Sequence, residues 1–315
     1  MDAERERIQA DLRGLVAGEV RCDDLITRLY ASDASLYEVL PLGVVRPRDT
    51  ADVVACVRYA SERNIPIHPR GAGTGIAGES LGAGLILDFA HTMHRVVGMT
   101  DTTVRVQPGV VQARLNRQLQ TWGRHFAPDP ATASVTTIGS VLALDNSGSH
   151  WLRYGSARNH VVSMQVVLAT GSVVEINQHD IADDPSESDE LGVIVRRVAD
   201  LLRREQDTIR ECRPRSLVNR SGYHVYDVLS DNRLDLARML VGSEGTLAII
   251  TEGIESPPMT CAAVTASSIS CAAGTTRDTS PARSASAASI IRPVSTMSMA
   301  LAFDTARGRR CEPPA

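Results

Sequence analysis

His68-Pro69-Arg70-Gly71-Ala72-Gly73-Thr74-Gly75-Ile76-Ala77-Gly78 places four glycines within eight residues, directly after a short apolar run. Glycine reaches positive φ at little cost and has no Cβ to hold a ligand away. Consecutive N–H groups in such a loop can form a concave nest for an anion, most often a phosphate or pyrophosphate, and Arg70 and Thr74 would add side-chain donors. A nucleotide cofactor is the first expectation. The competing reading is a plain tight turn between strand and helix, so the surrounding chain has to decide.

Upstream, Gly43-Val44-Val45-Arg46-Pro47 reads as a short strand, and Thr50 to Asn64 carries Val53, Val54, Val57 and Ala60 at helical spacing. Ile65-Pro66-Ile67 reads as the next strand, placed at an edge or strand end by its proline, which cannot donate to a ladder. The result is a β-α-β unit that delivers the glycine loop. Downstream, Leu85 to Phe89 and Thr103 to Gln107 are strand-like, a helix is expected from about Gln112 to Trp122, and small residues dominate Pro128 to Ser149. Val161 to Leu168 and Ser172 to Ile176 flank Ala169-Thr170-Gly171 in the pattern of a hairpin. Glu190 to Arg204 puts Leu191, Ile194, Val195, Val198, Leu201 and Leu202 on one stripe, an amphipathic helix. Its acidic entry (Asp183, Asp184, Glu187 to Glu190) and arginine-rich exit suit the helix macrodipole.

The bulk composition narrows the functional classes. At 315 residues and 43% hydrophobic, one or two domains are expected. A formal charge of -4 gives no reason to expect nucleic acid or an anionic membrane as partner, and no run of 18 apolar residues could span a bilayer. The charged start, Met1-Asp2-Ala3-Glu4-Arg5-Glu6-Arg7, does not suit a secretory signal, so a cytoplasmic location is expected. All 33 basic residues are arginine. That excludes a Walker-type lysine behind the glycine loop, a Schiff-base lysine and a lysine general base. The six cysteines (Cys22, Cys56, Cys212, Cys261, Cys271, Cys311) form no C-x-x-C pair or other ligand spacing, so they are expected as reduced thiols, with Cys56 filling core.

From Ser256 the character changes. Half of the last 60 residues are Ala, Ser or Thr, Phe303 is the single aromatic, and no periodicity is sustained. A segment with so little apolar area to bury is expected to be disordered. Out-of-frame translation of GC-rich DNA would generate this bias; a native linker is the alternative.

Two further small-residue motifs accompany the first loop. Pro128-Asp129-Pro130 is followed by Thr137-Ile138-Gly139-Ser140 and Asn146-Ser147-Gly148, and Gly242-Ser243-Glu244-Gly245-Thr246 leads into Ile249 and Ile250. In this order, and with Val44-Val45-Arg46-Pro47 ahead of them, the motifs resemble the FAD-binding domain of the vanillyl-alcohol oxidase and p-cresol methylhydroxylase superfamily. The likeness extends over roughly residues 15 to 255 and is nearest to the FAD-linked oxidases of the glycolate oxidase and D-lactate dehydrogenase type.

The resemblance implies an α+β fold: a two-subdomain FAD-binding domain of p-cresol methylhydroxylase type over residues 41–255, preceded by an N-terminal helical segment (1–40) and followed by a disordered C-terminal tail (256–315). It implies that Arg70, Gly71, Ala72, Gly73, Thr74 and Gly75 wrap the pyrophosphate, with Gly78, Glu79 and Ser80 continuing that wall. Pro128, Asp129, Thr137, Ile138, Gly139, Ser140, Asn146, Ser147 and Gly148 would face the flavin ring and pyrophosphate, where a planar ring must approach the backbone closely. Ser140 and Ser149 stand where glycine is more frequent. Glu244, Gly245, Thr246, Ile249 and Ile250 would lie near the adenine end, and Tyr154-Gly155 and Asn219-Arg220-Ser221-Gly222-Tyr223 also resemble family segments, the latter on the substrate side. No histidine sits in the context used for covalent flavin attachment, so non-covalent FAD is expected and no metal. His68, His125 and His150 are each open between a flavin contact and packing; His91 and His94 read as a surface turn.

The implied activity is that of an oxidoreductase of the CH–OH class (EC 1.1), oxidising a 2-hydroxy acid such as D-lactate, glycolate or 2-hydroxyglutarate to the 2-oxo acid, with an electron-acceptor protein or quinone as partner. Family members place a substrate domain after the closing strand, and none is recognisable in residues 256–315. A truncated FAD-binding fragment without turnover is therefore the second expectation. A nicotinamide-dependent reductase is the third, although the glycine loop leads into the strand Leu85 to Phe89 instead of opening a helix.

Overall fold

A computed structural model of the chain describes residues 1–181, 189–216 and 218–256. The expectations for the tail from Pro257 onward, and for most of the acidic stretch before Glu190, fall outside these residues.

The first subdomain grows from capped helices and short strands. Helix α1 (Ala3–Arg13) starts where the Asp2 carboxylate accepts the Arg5 N–H, and it buries Ile8 and Leu12. Strand β1 (Glu19–Arg21) and helix α2 (Asp24–Leu29) follow, and β1 pairs antiparallel with β2 (Gly43–Arg46). Helix α3 (Thr50–Arg63) is started by Asp49, which accepts from the N–H groups of Ala51 and Asp52, and is stopped by Asn64 in the left-handed region at φ 54. Such caps satisfy backbone donors and acceptors that a helix end leaves free. Strands β3 (Ile67–Arg70) and β4 (Leu85–Asp88) complete a sheet of order β1-β2-β4-β3, with β2 and β3 both parallel to β4.

The β-α-β unit is present, with two refinements. Strand β3 begins at Ile67, because Ile65 spends its N–H on the Ala60 carbonyl (2.9 Å) in closing α3, and Pro66 offers its carbonyl to Leu85 (2.8 Å). Strand β4 lies between β2 and β3, leaving β3 and its Pro69 at the edge. An edge is where a strand tolerates proline.

The second subdomain follows in chain order as β5 (Val96–Met99), β6 (Val104–Val106), α4 (Gln112–Gln120), α5 (Ile138–Ala143), α6 (Trp151–Tyr154), β7 (Val161–Val167), β8 (Val173–Ile176), β9 (Gln178–Asp180), α7 (Glu190–Arg204), α8 (Gln206–Glu211), β10 (Leu229–Ser230), β11 (Arg233–Asp235), α9 (Leu236–Leu240) and β12 (Ile249–Glu255). Its main sheet is antiparallel, in the order β5-β6-β12-β7-β8. The last strand thus inserts at the centre, between β6 and β7. The hairpin over Ala169-Thr170-Gly171 forms as the sequence pattern requires, with Gly171 at φ 81. Helix α7 has the bounds that its apolar stripe sets, and it buries Val195, Val198, Ala199 and Leu202.

Each subdomain has its own core. Phe126, Leu115, Ile138, Leu142 and Met164 anchor the second, and Leu12, Val53, Cys56, Leu85 and Leu87 the first. Full burial of each such Leu, Ile, Met or Phe side chain stabilises by about 1.5–3 kcal/mol. Val167 and Ile249, from β7 and β12, pack into the first core and so join the two halves. The loop after β3, the start of α5 and the approach to β12 meet at that junction.

Candidate functional site

A cleft partly open to solvent lies where these three segments meet. Their approach is too close for side chains. A Cβ on Gly71 would stand 2.2 Å from Thr137 Oγ1 and 2.3 Å from Ser140 Oγ, and a Cβ on Gly245 2.6 Å from Pro69 Cγ. Gly245 also has φ 75 and Gly73 φ 66, conformations that glycine reaches without strain. Residues 66 to 176 positions apart are therefore locked together through glycine, the backbone-contact role that the loop composition suggests.

Helix α5 is the hinge piece of this junction. Thr137 caps it and shares a hydroxyl contact with Ser140 at 3.1 Å. At its other end the carbonyls of Leu142 and Ala143 accept the N–H groups of Gly242 and Glu244, both at 2.9 Å. The first loop is tied to the N-terminal segment instead. Arg70 lays its guanidinium over the Tyr30 ring and donates to the carbonyls of Tyr30 (3.2 Å) and Ser32 (2.8 Å), while Gly73 accepts from Ala34 N–H at 3.1 Å. Thr74 meets Thr136 hydroxyl to hydroxyl at 3.2 Å.

Two carboxylates enter the cleft. Glu79 folds back over the loop, accepting the Ala77 N–H at 3.1 Å, with its carboxylate 2.5–2.7 Å from the place a Gly75 Cβ would occupy. In this position its negative charge sits against the glycine loop. Burial and the nearby Glu79 charge raise the pKa of Glu244.

The structure divides the expected site residues into two groups. Arg70, Gly71, Gly73, Thr74, Gly75, Glu79, Ser80, Thr137, Gly139, Ser140, Glu244, Gly245 and Ile250 line the cleft. A second group lies beyond the lining, around Asp129. Gly148 is bridged to Asp129, which donates its N–H to the Ser147 carbonyl at 2.8 Å. The Asp129 carboxylate accepts from Ser149 at 2.7 Å and pairs with His150 Nδ1. Burial pushes its pKa up, and the hydrogen bonds from Ser149 and His150 outweigh this and hold it below the usual value. Pro128 offers its carbonyl to the buried Gln112, and Tyr154 packs edge-on against His125 and accepts at its carbonyl from His160. Gly155 follows Tyr154 at φ 74 and ends α6.

The remaining expected residues are placed elsewhere. Ile138 and Ile249 are buried in the two cores, Gly78 packs on Tyr37, Ala72 is exposed, and Thr246 bonds Ser243 and Tyr223. His68 packs against Gly82 and is not part of the cleft lining. Met93, between His91 and His94, is fully buried, and among the described residues no three ligating side chains cluster to hold a metal.

Phe89, Pro108, Ala143, Leu144 and Ala248 line the cleft as well, and reading motifs does not single them out; Pro69 and Ser243, inside the quoted motifs, join them. Most are apolar. Only their adjacency to the glycine segments marks them, since a cleft for an amphipathic ligand is walled mainly by apolar side chains. Taken together, an apolar floor, glycines that leave no room for a Cβ and hydroxyls at a helix start fit the needs of a dinucleotide.

Residues 41–177 match the family model described as FAD binding domain. The chain is 34% identical over 232 residues to D-2-hydroxyglutarate dehydrogenase of Escherichia coli (70% of this chain, 23% of that protein). It is 30% identical over 231 residues to glycolate oxidase subunit GlcD of Bacillus subtilis (72% of this chain, 39% of that protein). A solved alkyldihydroxyacetonephosphate synthase superposes with a TM-score of 0.56 at 20% identity, over 82% of this chain and 41% of that one, which is a likeness of fold. The chain spans about a quarter of the length of the D-2-hydroxyglutarate dehydrogenases it matches. Fold, motif order and family match agree: residues 41–177 are an FAD binding domain, and its cofactor is FAD.

Proposed function

We propose that this chain is the flavin-holding part of an oxidoreductase that oxidises a 2-hydroxy acid of the D-lactate, glycolate or 2-hydroxyglutarate class to the 2-oxo acid. The observation that carries this reading is the junction of three glycine segments on one cleft, together with relatives named as dehydrogenases or oxidases of such acids. Non-covalent FAD, when bound, supplies a hydride acceptor at the flavin N5 for the carbon that bears the substrate hydroxyl. The chain's part is to bind and orient. The backbone of residues 70–75 and the Thr137 to Ser140 turn would hold the diphosphate, Phe89, Leu144 and Ile250 would keep water from the apolar parts, and the Asp129 group would lie on the flavin side.

In this reading the domain runs over residues 41–255, with the segment 1–40 fastened to it through β1 and Arg70, and a low-complexity tail from 256. An electron-acceptor protein or quinone completes the cycle. A cytoplasmic setting suits Cys22 and Cys56, which are buried as free thiols. No helix among the described residues is long and apolar enough to cross a membrane.

Anaerobic addition of D-2-hydroxyglutarate, D-lactate or glycolate to the FAD-loaded chain tests the activity. Bleaching of the flavin band near ~450 nm supports it. An FAD-loaded chain that none of the three acids reduces is a flavin-binding fragment without turnover.

A charge prediction follows from Glu79. Glu79→Gln removes a carboxylate from the nest intended for a diphosphate, and at a partly solvated site this is expected to tighten FAD binding by about threefold to tenfold. Titration of the apoprotein with FAD, followed by flavin fluorescence, reads the change. Weaker binding in Glu79→Gln would show that the carboxylate supports the cofactor.

A further inference from the structure

Outside the cleft, beside the turn at Gly242, a group of basic side chains has more donors than acceptors. Arg158 has a side chain only 7% exposed; it donates to the Val241 carbonyl at 2.7 Å and pairs with Asp145 at 3.4 Å, yet its Nε has no partner. Arg220 reaches the Ser147 hydroxyl through Nη2 and leaves its buried Nε unpartnered. Arg238, on α9, likewise buries an Nε without an acceptor, and beside it the ring Nε2 of His224 is buried without a hydrogen-bond partner. Arg213 is satisfied by Asp227 through two bonds of 3.1 and 2.5 Å. No described carboxylate stands within ion-pair distance of Arg220 or Arg238.

Buried donors without acceptors are rare in folded proteins and call for an explanation. Burial and the fields of Arg158 and Arg238 push the His224 pKa down to about 4, so the histidine is neutral near pH 7 and relieves none of the positive excess. The missing component is an anion with several acceptor oxygens. Guanidinium forks match a carboxylate in particular, because two parallel N–H groups meet its two oxygens. Arg220 ties the cluster to Ser147, within the Asn146 to Gly148 segment assigned above to the flavin side.

We propose that Arg220 and Arg238, with the buried Arg158 and His224 beside them, form a carboxylate-binding site, and that its ligand is the carboxylate of the 2-hydroxy acid. The identity of the ligand rests on the oxidoreductase reading. The existence of the site rests on the unpartnered donors.

Calorimetry and thermal melts of the full chain with D-2-hydroxyglutarate, D-lactate and inorganic phosphate, at constant ionic strength, test it. At about tenfold excess over Kd, the hydroxy acids are expected to raise Tm by on the order of 3 °C. Arg238→Met and Arg220→Met should each lose that shift. Each should also melt slightly higher than the parent without ligand, since an uncompensated charge is gone. A purely structural role predicts the opposite, lower melting without ligand, and that result would overturn the proposal. So would a parent chain that binds neither acid, variants that bind as the parent does, or phosphate binding as tightly as the carboxylates. An FAD titration of the same samples separates the two ideas: carboxylate binding without FAD binding refutes the oxidoreductase reading and leaves the site, whereas FAD binding without carboxylate binding refutes the site alone.

Discussion

Gly71→Val is expected to lose most of the chain's affinity for FAD while leaving its helix and sheet content intact. Position 71 is where the first loop touches the start of α5, and even a single Cβ there falls 2.2 Å from Thr137 Oγ1 and 2.3 Å from Ser140 Oγ. The branched side chain forces the loop off α5 and opens the wall of the cleft. Overpacking of this kind costs about 1–3 kcal/mol, and charged to binding it weakens Kd by about tenfold to a hundredfold. Ile76→Ala is the control, because Ile76 is 81% exposed just beyond the loop and should leave Kd within about twofold, in keeping with the small effects of surface substitutions. Flavin fluorescence titration of both apoproteins, with circular dichroism to verify folding, gives the comparison. Wild-type affinity in Gly71→Val would mean that the cofactor does not depend on this junction.

Glu255→Leu is expected to stabilise the fold by about 1–3 kcal/mol at pH 7, the cost of an unpaired polar group in a core. Glu255 ends β12 opposite Val104 and Val161, is fully buried, and has no partner for either carboxylate oxygen. Burial raises its pKa well above the ordinary value. The sign of the pH effect follows. A raised pKa in the folded state means that the group's contribution is fully present below the unfolded pKa of 4.5 and is lost as pH rises through the folded value. The protein should therefore lose stability between mildly acidic and neutral pH, and Glu255→Leu should flatten that loss. With about 2–4 °C per kcal/mol for a domain of this size, melts at pH 5 and pH 8 resolve the difference. A lower Tm for Glu255→Leu, or an unchanged pH slope, would show that the carboxylate has a partner in the folded protein.

How much of this was legible in the sequence depended on length and on local chemistry. Helix α7 has the bounds its apolar stripe predicts, because fifteen residues repeat the pattern enough times to fix the phase. The hairpin around Gly171 was equally plain, since a positive φ at the turn needs glycine. Strands β9, β10 and β11, at two or three residues each, are too short to show alternation, and they form because β9 and β11 pair across more than fifty positions. The placement of β4 between β2 and β3 is likewise a tertiary choice that no local pattern encodes.

The candidate site divides along the same line. Gly71, Gly73, Gly75, Thr137, Gly139 and Gly245 were readable because close approach demands small residues, and all of them line the cleft. Arg70 was read as a phosphate donor from its charge; its guanidinium also donates to the carbonyls of Tyr30 and Ser32, partners that only the folded chain brings near. Phe89, Leu144 and Ala248 went unread, since an apolar cleft residue looks like any core residue in sequence. The arginines that outnumber their acceptors, Arg220 and Arg238, were also invisible there, because a missing counter-ion can be recognised only once the neighbours are known.

The most direct test of the central claim is the visible spectrum of the purified chain after incubation with excess FAD and removal of the free cofactor. The account predicts bands near ~370 and ~450 nm at about one flavin per chain, with all of the flavin released on denaturation because nothing binds it covalently. A colourless chain that folds but cannot be loaded with FAD would contradict it.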